Sequence, residues 1–570
     1  MNREPQKLAD TAFDLVVIGG GIHGACIARS AAERGLSVAL VERDDFGAHT
    51  SHNSLKIVHG GLRYLQHADF RRTRESVVAR SRWLREAPHL VRPLGFLMPL
   101  TGWLARGPAA LRAAMWVHQA IGWDRNDGLA ADRRLPGGRI LSAAETRDLL
   151  PDLPEDKLSG GALWHDGHML DADRLLMASL EAATRHGAVA CNYMSAQKIT
   201  LKSGKVAGVD ARDELTGDRC HIQSKSVINA AGPWTSPVAS LVEASGAKLH
   251  MGHSKNMNLI VPQIAPDVAF GVKSKRRSDS LLDSSNRLFF ITPWRGMSVI
   301  GTTHEPYSGE PDEFSPSDRD IEQFVEEINA AYPVNLGPDD IRYCYAGLTP
   351  AGEGLRHGEA KRARHGALVD HGDEDGIHGL FSLIGVKYTT AQLVADRAVS
   401  TVANAMNKPI AKHSTGLLPG ADGYTSEKAM VAALSKRITR PEDDPEVVQF
   451  ATTFGAEAFA ALETGGWSAD DGNEALYKCR VRFAVRAESA CRLQDIALRR
   501  TERLPRGQLH KADLDWAAEF MAAELGWSSQ RQTSEMESCL AVIRRQRGRL
   551  AEPASPGSGP RMPQDAALER

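Results

Sequence analysis

The sequence is sparing with cysteine. It has seven in 570 residues: Cys26, Cys191, Cys220, Cys344, Cys479, Cys491 and Cys539. They are scattered, odd in number and never in CxxC spacing, which argues against a disulfide framework or a zinc site and fits a reducing cytosol. No metal site is expected. The chain also lacks an excess of charge. Its 69 Lys and Arg stand against 71 Asp and Glu, a formal net charge of −2. With no basic field to hold a phosphate backbone, no nucleic-acid partner is expected. Nowhere do eighteen apolar residues run uninterrupted, so no spanning helix is expected. The opening MNREPQKLADTA lacks the apolar region of a secretory leader.

One stretch is unusually poor in charge. From Gly95 to Trp123 the charged residues are Arg106 and Arg112, and Trp103, Trp116 and Trp123 fall within it. Two readings stand. The aromatic rings can mark a monotopic membrane contact, or the stretch is a buried helix pair broken at Gly107-Pro108.

The remaining composition, 42% hydrophobic and 25% charged, is that of a globular protein of two or three domains. The clearest passage comes first. FDLVVIG, from Phe13 to Gly19, reads as a strand buried on both faces of a parallel sheet. Gly19-x-Gly21-x-x-Gly24 follows, then an alanine-rich helix over Ala25–Arg34 closed by Gly35, then a strand over Ser37–Val41 ending on Glu42. In such a β-α-β unit Gly19 permits the turn, Gly21 admits a pyrophosphate against bare backbone, and Gly24 lets helix and strand pack closely. The helix N-terminus faces the phosphates. Glu42 accepts hydrogen bonds from a ribose diol and repels a 2′-phosphate. The motif alone does not separate FAD from NAD.

Two later passages favour FAD. Asn229-Ala230-Ala231-Gly232-Pro233-Trp234 places small residues at a strand end. Gly385-Val386-Lys387-Tyr388-Thr389-Thr390 is a strand, a glycine turn and a helix start with threonines available as caps. Together with the first unit they suggest one elongated ligand visiting several loops. Mixed α/β patterning runs to about residue 240, with strands at Ala188–Tyr193 and Val206–Arg212. A β-rich stretch follows, with strands at Asn258–Val261, Leu288–Thr292 and Ser298–Thr303. The first sheet resumes at Leu380–Ile384. Beyond Pro409 the periodicity is helical, and the tail from Glu552, with PASPGSGP, reads as disordered.

At this point the chain resembles the FAD-dependent glycerol-3-phosphate dehydrogenases. The matching passages include DLVVIGGGIHG, HTSHNSLKIVHGGLRYL from His49, VINAAGPW from Val227, PWRGMSVIGTT from Pro293 and SLIGVKYTTA from Ser382. The resemblance implies an α/β fold. A Rossmann-like FAD-binding domain of glutathione-reductase and D-amino-acid-oxidase type would span 12–420. It would be interleaved with a β-rich substrate domain, mainly 85–160 and 245–370, and followed by a helical C-terminal domain over 424–545. Thr50, Ser51, Ser54, Lys56, His59, Gly60 and Gly61 would wrap the flavin end, joined by Ala231, Gly232, Gly385, Lys387 and Thr389. Arg63 and Tyr64 would face the substrate, with Lys387 over the flavin and Arg364 in the pocket. The implied acceptor is quinone at the inner face of the cell membrane, with molecular oxygen as the alternative. The chain would then be a cytoplasmic, peripherally attached protein, and a homodimer is left open.

Three positions depart from the family pattern. Thr349 stands where members carry an arginine, Asn258 where they carry a histidine, and His304 where they carry an aspartate. Threonine cannot give phosphate the bidentate hydrogen bonds of a guanidinium. Arg63 and Lys387 keep positive charge for a phosphate and a developing alkoxide. For the proton acceptor His304 comes first and His59 second. The expected reaction is oxidation of glycerol 3-phosphate to dihydroxyacetone phosphate. The alternatives are another polyol or sugar phosphate, or a flavoprotein without catalysis.

Overall fold

The computed structural model describes residues 1–101, 108–151, 158–242, 249, 251–264, 267–274, 288–356, 359–362, 366–385, 387–411 and 416–551. Strand Phe13–Ile18, buried at every position, runs parallel to Val38–Val41 on one side and to Arg219–Asn229 on the other. Its run of apolar side chains has no solvent face because helices Ile22–Glu33, Ala172–Arg185 and Ala391–Ala405 pack with it into one core. The sheet continues outward through Leu380–Ile384, parallel, to an antiparallel edge at Ala367–Asp370, and on the far side to Val189–Cys191. A hairpin of Met194–Lys202 and Lys205–Asp213 extends the first half of Arg219–Asn229. The strand Met194–Lys202 escapes the sequence reading, since its polar outer positions break the apolar run.

The second sheet orders its strands Glu359–Arg362, Tyr343–Arg356, Gly252–Pro262, Met297–Gly301, Leu288–Trp294, Val268–Lys273, Val91–Thr101, Leu158–Met169 and Ile57–Val58. The three strands expected between 245 and 350 are all present, each longer or shorter by a few residues. The charge-poor stretch is corrected here. It is not a helix pair: Val91–Thr101 is a strand, antiparallel to Leu158–Met169 and parallel to Val268–Lys273. Only its second part is helical, Pro108–Ile121. Residues 102–107, with Trp103, lie outside the described residues. Trp116 and Trp123 are each 75% exposed, so these two rings are not core.

The helical domain runs from helix Glu427–Ile438 to helix Ser529–Arg545. Leu493, Ile496, Ala497, Met521 and Ile543 close over Ile260, Trp294, Tyr343 and Tyr345 on the second sheet. A buried ionic network reinforces the joint to the domain of the first sheet. Asp45 is fully buried and accepts from Arg499 Nε at 2.7 Å, from both Arg500 terminal nitrogens at 3.0 Å and from Asn192 Nδ2 at 3.0 Å. All seven cysteines are free thiols.

Candidate active site

The strand-to-helix turn is built as its glycines require. Gly19 has φ +110°, a left-handed value that costs a side-chain-bearing residue dearly. A Cβ on Gly24 would lie 1.9 Å from the Gly19 carbonyl oxygen, so only glycine allows this approach. Helix Ile22–Glu33 has Gly21 as its N-cap, without a side-chain cap. Ser51 Oγ accepts from Ile22 N at 2.9 Å and so ties the 49–54 loop to the turn. Glu42 sits at the strand end, with Oε2 accepting from Gly20 N at 2.6 Å and Oε1 from Asp44 N at 2.9 Å. Burial, then the Asp44 carboxylate, raise its pKa above the ordinary value.

A cavity of about 780 Å³ opens from this turn. It collects residues the sequence scatters over 370 positions: Gly19, Gly21, Glu42, Thr50, Ser51, Ser54, Ala231, Gly232, Asn258, His304, Thr349, Gly385 and Lys387 all line it. Gly24 lies behind it as a packing position. Lys56 does not line it: its ammonium lies 4.9 Å over the Trp294 ring and 4.8 Å over Tyr345. That pulls the side chain to the helical-domain joint, away from the cavity. Thr390 is the N-cap of helix Ala391–Ala405, but neither threonine caps it through its side chain. Thr390 makes no side-chain cap bond, and Thr389 Oγ1 accepts from His59 N at 3.3 Å.

His59, Gly60, Gly61, Arg63 and Tyr64 form an adjoining layer, joined to the cavity through Lys387. The Lys387 ammonium lies 4.2 Å over the Tyr64 ring, and the Tyr64 hydroxyl is 3.4 Å from His59 Nε2. Gly60 N donates to Asp166 Oδ1 at 2.6 Å, and the His118 ring nitrogen Nε2 bonds the Gly60 carbonyl at 3.1 Å. Gly61 takes φ +74°. Arg63, on the short helical turn Leu62–His67, is exposed. Burial, then the Lys387 ammonium, hold the His59 imidazole down at about 3, so it is neutral at pH 7. Arg364 lies outside the described residues.

The wall opposite is a polar strand face. Ser254, Asn256 and Asn258 alternate along Gly252–Pro262, and Thr349 pairs directly with Ser254. Asn258 Oδ1 accepts from Thr302 Oγ1 at 2.7 Å and its Nδ2 donates to the Asn53 carbonyl at 3.2 Å. Thr349 is bonded by Asn256 Nδ2 at 2.8 Å, not by Asn258. Asn256 is therefore a wall residue the sequence reading passes over, although period-two spacing from Asn258 points to it. Also passed over are His23, Asn53 and His49. Gly385 is glycine because His23 packs on it: a Cβ would meet the ring at 2.6 Å. Burial lowers the His23 pKa to about 4. His49 Nε2 lies 2.8 Å from Asp44 Oδ2, and its ring packs 4.4 Å from Trp234.

The donor set suits a flavin dinucleotide. Bare glycine backbone at a helix N-terminus meets a pyrophosphate, a terminal acid meets a ribose, and the Ser54 Oγ and Asn53 Oδ1 atoms are buried on the wall without protein partners. Fold and site together define an FAD-dependent oxidoreductase, and the comparisons agree. Residues 14–393 match the FAD dependent oxidoreductase family, and residues 414–532 match the C-terminal domain of alpha-glycerophosphate oxidase. The chain is 32% identical to a glycerol-3-phosphate dehydrogenase of Synechocystis, over 87% of this chain and 89% of that one. It is 32% identical to the Mycobacterium leprae glycerol-3-phosphate dehydrogenase, over 94% and 89%. The solved FAD complex of the Bacillus halodurans glycerol-3-phosphate dehydrogenase superposes with a TM-score of 0.73 at 25% identity, covering 95% of this chain and 96% of that one. The chain belongs to the FAD-dependent glycerol-3-phosphate dehydrogenase family, and FAD is its cofactor.

Proposed function

We propose that this chain oxidises the secondary alcohol of glycerol 3-phosphate to dihydroxyacetone phosphate. The observation that carries the reading is the single cavity joining the Gly19–Gly24 turn and Glu42 to Lys387 and to the wall of His304, Asn258 and Thr349. FAD, when bound, supplies the hydride acceptor. His304 takes the hydroxyl proton. Lys387 and Arg63, with Arg364, supply positive charge for the phosphate and for the developing alkoxide. Asn258, held between Thr302 and Asn53, and Thr349, held by Asn256, orient the substrate's hydroxyls.

A second reading, another polyol or sugar phosphate, is favoured by one feature. The side chains on the strand wall beside His304, namely Ser254, Asn256, Asn258 and Thr349, carry no charge. The same proposal takes quinone as electron acceptor, a homodimer as the assembly, and a cytoplasmic chain attached peripherally to the inner face of the cell membrane. No helix among the described residues is long and apolar enough to cross a membrane, and the exposed Trp116 and Trp123 supply the contact.

The test is anaerobic bleaching of the flavin's visible band. Rapid bleaching by glycerol 3-phosphate is expected. Bleaching only by longer polyol phosphates moves the assignment to the second reading. Flavin that no polyol phosphate bleaches leaves a flavoprotein without this catalysis.

A further inference from the structure

Six arginines of the helical domain lie between 480 and 500, and five of them meet carboxylates. Arg480 pairs with Glu488 at 2.7 Å, Arg482 with Asp471 at 2.6 Å, Arg486 with Glu524 at 2.7 Å, and Arg499 and Arg500 with Asp45 at 2.7 and 3.0 Å. Arg492 differs. It pairs with no carboxylate among the described residues, and its Nε is buried without a hydrogen-bond partner. Its guanidinium carbon lies 4.7 Å over the Tyr193 ring. It also lines the cofactor cavity, alongside Asp44, Met194, Ser195 and Glu214.

Its position is firmly set. The Arg492 backbone N–H donates to Asp495 Oδ2 at 2.9 Å. The other oxygen of that fully buried carboxylate accepts from the Tyr193 hydroxyl at 2.6 Å and from Arg499 at 2.8 Å. One acid thus anchors both the arginine and the ring it rests on. The backbone of that ring is tied to the end of the Glu42 strand: Tyr193 N donates to the Asp44 carbonyl at 2.9 Å, and Met194 N to the Glu42 carbonyl at 2.7 Å. Arg492 therefore rests on a ring whose backbone neighbourhood is bonded to the end of the strand that carries Glu42, and both Arg492 and Glu42 line the cavity.

We infer that Arg492 is a cofactor-binding residue supplied by the helical domain, its guanidinium engaging the adenosine half of FAD. A guanidinium is planar and weakly hydrated, and it stacks on aromatic rings while keeping donors at its edge. A purine or its ribose satisfies both features, and the guanidinium already lies 4.7 Å over the Tyr193 ring. The inference rests on the FAD reading of the cavity. It makes docking of the helical domain and retention of the cofactor mutually supporting.

The experiment uses the full-length chain, deflavinated and titrated with FAD and with FMN, which lacks the adenosine half. Arg492→Gln is expected to raise the FAD Kd about 5- to 30-fold and to leave the FMN Kd unchanged. The FAD-to-FMN ratio is read within each variant, so a general loosening of the fold cancels. A ratio equal to that of the wild type overturns the inference, whether both flavins weaken together or neither does. Wild-type protein that takes up no FAD is a different result, and it sinks the cofactor reading itself.

Discussion

Two histidines compete for the role of proton acceptor, and their surroundings separate them. His59 is held at about 3 by burial and by the Lys387 ammonium. At pH 7 it has little affinity for a further proton. His304 is on the cavity wall itself. Replacing His304 with Ala is expected to lower kcat by about 10²- to 10⁴-fold while the visible flavin spectrum stays intact. His59→Asn should cost less than that. A His304→Ala enzyme with undiminished kcat would remove it from the proposal. That His304 lines the cavity was legible from the family resemblance at the IGTT run. That Asn256 bonds Thr349 was not, because the pairing of Ser254 with Thr349 joins residues 95 positions apart and is set by strand register.

At the scale of elements, the β-α-β turn declares itself locally. Its glycines, apolar run and terminal acid stand within thirty residues of one another, and each has a local physical reason. The stretch around Val91–Thr101 does not. An apolar run without clear period suits a strand or a buried helix equally, and only its neighbours Leu158–Met169 and Val268–Lys273 decide. The helix after it, Pro108–Ile121, leaves Trp116 exposed, with Trp123 exposed in the turn just beyond its end. Indole rings so placed suit a membrane interface. Co-sedimentation with anionic phospholipid vesicles is expected for the wild type, and Trp116→Ala with Trp123→Ala should weaken it by about tenfold or more. Equal binding by wild type and double variant would take these rings out of any membrane contact.

At the scale of the whole molecule, the helical domain is locked to the first sheet's domain by buried charge. Burial alone would push the Asp45 carboxyl up, but Arg500 and Arg499 outweigh it and hold it below the carboxylate range. With the folded pKa depressed, its stabilisation is full above the unfolded value of about 3.9 and is lost as pH falls through the folded one. Asp45→Asn removes the carboxylate shared by two buried guanidinium groups, leaving Arg499 to Asp495 and Arg500 to Glu488, and is expected to cost about 3–5 kcal/mol at neutral pH. Denaturant unfolding measures it, and an unchanged midpoint would mean the network contributes little. The sequence shows Arg499 and Arg500 but not their shared partner, since Asp45 lies more than 450 positions away. By itself the sequence determined the dinucleotide turn, the parallel strands, the helical domain and the family, because these rest on local period, glycine geometry and contiguous motifs. Only the tertiary structure decided that Lys56 turns away from the cavity, that Asn256 joins the wall and that Arg492 lines the cavity. Those outcomes depend on which distant side chains compete for the same charge or hydrogen bond.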